Sequence, residues 1–157
     1  MTFLYWCLCI AFVIWLASRV VWFARRDYDR SVNSERDGLP LLWIKYVFAF
    51  RGRRIDLHRI DYPDPWGCFH SHPASWAIRI ILWGGYVEEF KDGTMRYWKP
   101  GRIGIVRHDD VHRINRLLHE RPSYSLWIRG KVRHQTLLTG DGWPLELQDT
   151  YHGSSET

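Results

Sequence analysis

The sequence predicts an all-β domain behind a single membrane-spanning helix. Three observations carry this. An apolar run occupies the N-terminus, short apolar-alternating runs separated by turn residues fill the chain from Leu41 onward, and no long helical period appears after residue 40. The 157 residues suffice for one domain with a proper core and are too few for two.

The first element is "FLYWCLCIAFVIWLASRVVWFA", Phe3 to Ala24, whose single charge is Arg19. At 1.5 Å per residue it reaches roughly 33 Å as a helix, enough for a hydrocarbon core of about 30 Å. Arg19 lies near the end, where its side chain can snorkel to the headgroups. Arg25, Arg26 and Arg30 follow the run, which is the reverse of a secretory leader's order. The alternative, a buried helix of a soluble fold, needs a core wrapped all round it. Residues 1–24 therefore read as a single-pass anchor. The trailing arginines place the following domain in the cytoplasm, on the inner face of the membrane.

Residues 25–38, within "ARRDYDRSVNSERDG", are polar and charged and read as a tether or short exposed helix. The β-domain is expected over residues 39–150. "LLWIKYVFAF" breaks at "RGRR", "IDLHRI" at "DYPDPWG", and "WAIRIILW" at Gly84-Gly85. "YVEEF" stops at Lys91-Asp92-Gly93, "MRYWK" at Pro100-Gly101, and "RIGIV" at His108-Asp109-Asp110. "YSLWI" runs into Arg129-Gly130 and "HQTLL" into Thr139-Gly140-Asp141-Gly142. About eight strands at this spacing argue for a sandwich or barrel. "VHRINRLLHE" fits either a helix or a strand followed by a loop. The tail, 151–157, reads as disordered.

Ten Trp, eight Tyr and seven Phe make the chain rich in aromatics, and its net charge is +5. The basic residues form no stripe, so nucleic acid is not expected as a partner. Cys7, Cys9 and Cys68 show neither a disulfide framework nor a CxxC pair. No GxSxG, P-loop or dinucleotide-binding glycine set is present. Oligomeric state is not legible.

The chemistry centres on "HSHP", residues 70–73. On a strand, positions i and i+2 share a face, so His70 and His72 aim together. Two imidazoles make half a metal site. His108, His112, His119 and His134 are candidates for the third ligand. His112 stands out because a Pro-Gly turn, an apolar strand and a short acidic turn return it to the sheet.

With "GCFHSHP" before and "PGRIGIVRHDDVHRI" after, the chain resembles the cupin superfamily. Gly67, His70, His72 and Gly84-Gly85 match the first cupin motif, and Pro100, Gly101 and His112 the second. "HSHPASWAIRIILWGGYVEE", "KPGRIGIVRHDDVHRI" and "DGW" (Asp141–Trp143) look like a cupin-like group common in phage and bacterial genomes. The resemblance covers roughly residues 40–145. It implies a small jelly-roll barrel holding a divalent metal on His70, His72 and His112. It does not imply one reaction.

The usual cupin glutamate should fall near Trp76 or Ala77, neither of which binds metal. The site is then either a three-histidine one, similar to thiol dioxygenases, or is completed by Glu88. Iron(II) is the favoured ion, with zinc, manganese or nickel as alternatives. Cys68 shares the parity of the histidines and either ligates or packs. Arg79, if inward, suits a clamp for an anionic small molecule. Of His58 and Arg59 only one can face in. Tyr86, Tyr97, Trp127 and His134 are candidates for a pocket wall. The expected site therefore has Glu88 and Tyr86 as catalytic groups, Arg79, His58 and Trp127 as substrate contacts, and the three histidines as ligands. The expected activity is an oxygen-dependent, dioxygenase-like oxidation of a small molecule; the alternative is a non-catalytic metal- or ligand-binding or regulatory module.

Overall fold

The computed structural model describes residues 11, 28–33, 38–120 and 122–140. Apart from residue 11, the segment read as a membrane anchor lies outside these residues, as do the "DGW" stretch and the C-terminal tail. Among the described residues no helix is long and apolar enough to cross a membrane.

Two antiparallel sheets face each other. The first contains β1 (Arg30–Asn33), β2 (Pro40–Phe50), β3 (Arg53–Ile60), β5 (Trp76–Trp83), β8 (Ile103–Arg107) and β10 (Ser123–Arg129), in the order β1-β2-β3-β10-β5-β8. The second contains β4 (Phe69–His70), β6 (Tyr86–Phe90), β7 (Met95–Trp98), β9 (His112–Leu117) and β11 (Leu138–Thr139), in the order β11-β4-β9-β6-β7. Sequence-distant strands thus lie side by side, as a jelly roll requires.

Period-two patterning explains the layering. On β5, Ala77, Arg79 and Ile81 are buried while Trp76 and Leu82 are exposed. On β10, Ser123, Ser125 and Trp127 are buried. Ile60, Ile81, Tyr86 and Trp98 form the main core cluster, with Leu42, Ile114 and Leu117 packed against it. The far tip of the Trp98 indole abuts Gly104, where a Cβ would stand 2.3 Å from the ring, so β8 needs glycine there. The Gly84-Gly85 turn is equally constrained. Gly85 has φ +112° and a Cβ would meet the Trp98 carbonyl at 2.2 Å, which joins β5 to β6 without room for a side chain.

Two segments differ from the sequence reading. Within the stretch read as a tether, residues 30–33 pair with β2, Arg30 opposite Ile44. Asp29 holds this edge further: its Oδ2 accepts the Tyr46 N–H at 2.6 Å. The charged composition of this edge strand masked it, since edge strands favour charge for solubility. The ambiguous "VHRINRLLHE" is strand β9 followed by a 3-10 turn, Leu118–Glu120. β9 lies between β4 and β6, and that ladder overrides any helical spacing.

Candidate metal centre

β4 is only two residues long, but its place is fixed from both sides. Leu138 pairs with His70 on one edge, and His112 pairs with His70 on the other. The HxH alternation brings His72 to the same side, so the three rings converge from two strands and the residues just after one. Ring centroids lie 5.2 Å apart for His70–His72, 4.8 Å for His70–His112 and 5.0 Å for His72–His112. One nitrogen from each falls within 4.8 Å of the others, and this is the cluster of potential metal ligands found among the described residues.

The geometry fits a metal ion. Imidazole nitrogens bind zinc at about 2.0–2.1 Å, so neighbouring ligands at 90–109° stand about 2.8–3.4 Å apart. The Nε2 atoms of His72 and His112 are 3.1 Å apart. A hydrogen bond between two neutral rings spans a similar distance, but it would not account for the third ring turned to the same point. Burial, the largest influence on each, holds His70 down to about 4 and His72 and His112 well below the ordinary histidine value. The rings are therefore neutral at pH 7 and carry the lone pairs a cation needs.

The outer nitrogens face carboxylates. His112 Nδ1 stands 3.3 Å from Glu88 Oε1 and His70 Nδ1 stands 3.5 Å from Asp64 Oδ2. Ligating histidines characteristically meet such groups, which orient the ring and raise its basicity. Glu88 is itself held by an ion pair and by hydrogen bonds to Oε2. Arg79 donates from Nη2 to Oε2 at 3.1 Å and its Nη1 is 2.9 Å from Oε1, while Trp98 Nε1 donates to Oε2 at 2.8 Å. Arg79 also donates to the Tyr86 hydroxyl at 2.7 Å and lies 3.8 Å over the Trp98 ring. Asp64 is buried, which pushes its carboxyl up to about 7, and its Oδ2 accepts the Ile114 N–H at 2.6 Å.

The histidines open on a cavity of about 230 Å³ between the sheets, also lined by Arg79, Tyr86, His58 and Trp127. Trp127 touches His72 and stacks on His58, with centroids 5.0 and 4.8 Å away. His58, not Arg59, is the inward member of its pair; burial pulls it down to about 3.

All eight residues expected at the site line this cavity or, in the case of Glu88, lie behind its wall. Their surroundings refine the expectation. Arg79 faces in, but its guanidinium is committed to Glu88 and Tyr86 rather than turned as an open clamp. Glu88 reaches the outer nitrogen of His112, outside the ligand cluster. Cys68 packs instead against Leu41 and Leu138. Tyr97 is exposed, and His134 stacks on His108 at 3.8 Å outside the cavity.

Sequence reading missed Asp64, Arg54, Asp56 and Arg129. Asp64 lies in a Pro-flanked turn where alternation gives no guide. Arg54, Asp56 and His58 do alternate, but Arg54 is the second residue of β3 and lies within what read as the "RGRR" turn.

With the site described, solved structures can be set beside it. A protein from Ralstonia eutropha JMP134, provisionally named a mannose-6-phosphate isomerase, superposes with a TM-score of 0.52 at 19% identity, over 60% of this chain and 88% of its own. FeII HppE superposes at 0.52 and 12% identity, over 64% of this chain and 56% of its own. The fold is that of the cupins. Hydroxypropylphosphonic acid epoxidase from S. wedmorenis also shares it, at TM-score 0.51 and 10% identity, over 64% of this chain and 55% of its own. The chain thus spans little more than half of the latter two. No family model and no curated protein matches the sequence. At these identities the likeness is one of fold.

Proposed function

We propose that this cupin-type domain holds a divalent metal on His70, His72 and His112 and oxidises a small molecule with oxygen. The observation that carries this is the convergence of three neutral imidazoles, His112 buried and His70 and His72 half-buried, at the wall of a ligand-sized cavity. Iron(II) is the first choice, being also the metal named for one structural neighbour. Held by His70, His72 and His112, such an ion would supply the redox and Lewis-acid chemistry of an oxygen-dependent oxidation.

The chain's own groups do the remaining work. Glu88 orients His112, and Asp64 orients His70. Trp127 and His58 form an aromatic wall that excludes water from one side of the bound molecule. The Tyr86 hydroxyl, accepting from Arg79, keeps its own proton to donate into the cavity, and burial pushes its pKa up. Arg79, paired with Glu88, holds that hydroxyl in place. Residues 1–24 anchor the domain to the membrane and the barrel lies on the cytoplasmic side.

A non-catalytic binding module is the second reading. It is favoured by the burial of Glu88 among Arg79, Trp98 and His112, behind the cavity wall, which leaves it poorly placed as an acid–base group. Metal analysis of the purified full-length protein, followed by oxygen uptake with a panel of thiols and small organic acids, separates the two. Uptake that needs both substrate and His70 supports catalysis. Tight zinc binding with no oxygen consumption supports the binding module.

A further inference from the structure

The cavity wall carries a second polar cluster that the metal site does not use. On the inward faces of β3 and β10, Arg54 lies directly opposite Arg129, and Asp56 opposite Trp127. Like charges directly opposite one another on antiparallel strands destabilise a sheet. Here the repulsion is only partly offset, because the two guanidiniums share one carboxylate. Asp56 is 1% exposed; its Oδ2 accepts from Arg54 Nε at 2.9 Å and from Arg129 Nε at 3.1 Å.

Both contacts use Nε. The terminal Nη nitrogens of Arg54 and Arg129 have no acceptor among the described residues, and both side chains line the cavity. Arg54 is further held by stacking 3.9 Å over the Tyr46 ring. The cluster is thus two fixed forks with an excess of one positive charge. Burial, and next the neighbouring Arg54, lower the pKa of Arg129, the strain expected where negative charge is short.

We propose that Arg54 and Arg129 form an anion subsite that grips the oxyanion head, carboxylate or phosphate, of a small acid whose other end lies at the three histidines. The proposal rests on the reading of the cavity as a ligand site and names the ligand's class. Paired guanidinium forks match planar carboxylates and tetrahedral oxyanions through parallel N–H donors. The length follows from the strand. Trp127 contacts His72, and Arg129 is the next inward residue on β10, about 7 Å further along. A ligand spanning one such step has a short chain of a few bonds. Arg79, committed to Glu88, shapes the wall between.

The test measures binding of propionate and of inorganic phosphate to the full-length protein by titration calorimetry, metal-free and metal-loaded. Saturable binding of either anion without metal is expected. Arg54→Gln and Arg129→Gln should each weaken it at least tenfold, and Arg107→Gln, on an exposed side chain of β8, should leave it unchanged. If those variants fold poorly, Asp56→Asn decides. Removing the internal carboxylate should tighten anion binding severalfold if the guanidiniums form a site, whereas a merely structural cluster would lose stability and gain no affinity. Anion binding that survives both arginine variants, or is absent while metal binds normally, overturns the subsite and leaves the metal centre standing. Loss of metal binding together with retained, arginine-dependent anion binding would instead overturn the function proposed above and support the subsite.

Discussion

The outer nitrogen of His112 stands 3.3 Å from Glu88 Oε1, in a pocket where Glu88 is wholly buried. β6 and β9 are neighbours, with Glu88 opposite Ile114 and Phe90 opposite His112, so the carboxylate meets the ring diagonally, two positions along the ladder. The contact fixes which nitrogen is left for a metal. Glu88→Gln keeps the size of the side chain and removes its charge. Metal affinity should fall about 10- to 100-fold, the usual cost of losing such a partner. Titration with a competing chelator measures it, and an unchanged affinity would show that Glu88 serves Arg79 alone.

Replacing the ligands themselves gives a sharper pattern. His70→Ala, His72→Ala and His112→Ala should each abolish stoichiometric metal. His119→Ala should not, since His119 is exposed in the turn after β9, and neither should His134→Ala, outside the cavity. Equal losses across the five would mean that the protein binds metal by scattered surface histidines.

Protonation gives a third expectation. Burial lowers His70 to about 4 and His58 to about 3, and holds His72 and His112 low as well. The unfolded chain takes up these protons near pH 6.5, so their contribution to stability is complete above 6.5 and is lost as pH falls toward 4 and below. Asp64, raised to about 7 by burial, acts oppositely: its contribution is complete below 3.8 and lost as pH rises through 7. Four histidines outweigh one acid, so the metal-free protein should gain stability from pH 4 to 6.5 in urea titrations. Metal affinity of the folded protein should fall between pH 7.5 and 5 only as far as Asp64, behind His70, takes up its one proton, because the rings are already neutral. A tenfold loss of affinity between pH 7 and 6 would show ordinary, solvent-exposed imidazoles.

The strand edges carry a fourth. The apolar run of residues 1–24 predicts that the full chain fractionates with membranes and needs detergent for release. A truncated chain should be soluble and folded if it begins before Tyr28, because Asp29 and β1 close the sheet edge. Beginning at Leu39 removes that edge and exposes the β2 ladder, so aggregation should follow. A full chain soluble without detergent overturns the anchor.

Much of this architecture was legible because burial writes itself at period two. "WAIRIILW" and "YSLWI" announce strands whose inward members include Arg79 and Trp127, and the HxH spacing alone puts His70 and His72 on one side. The third histidine was legible from element order, since a strand returning beside β4 must bring His112 opposite His70. What was not legible depends on pairing between distant strands. Nothing local says that Arg54 faces Arg129 across 75 positions of sequence, or that the guanidinium of Arg79 is spent on Glu88. Asp64 was hidden for another reason: it sits in a turn, and its role comes from the β9 amide that it caps.

That commitment of Arg79 to Glu88 yields the last prediction. Both side chains are at most 2% exposed, and two nitrogens of the guanidinium face the carboxylate. Arg79→Met should destabilise the fold by about 3–5 kcal/mol, because it strands a buried carboxylate whose remaining partners are Trp98, His112 and, only at 4.0 Å, the half-exposed Arg96. The loss reflects an uncompensated charge more than a lost attraction. Arg79→Met combined with Glu88→Gln should therefore be more stable than Arg79→Met alone, as removing both members of a buried pair often is. A double-mutant cycle by urea unfolding measures this coupling. If the two losses simply add, Arg79 is held by Tyr86 and the Trp98 ring rather than by Glu88.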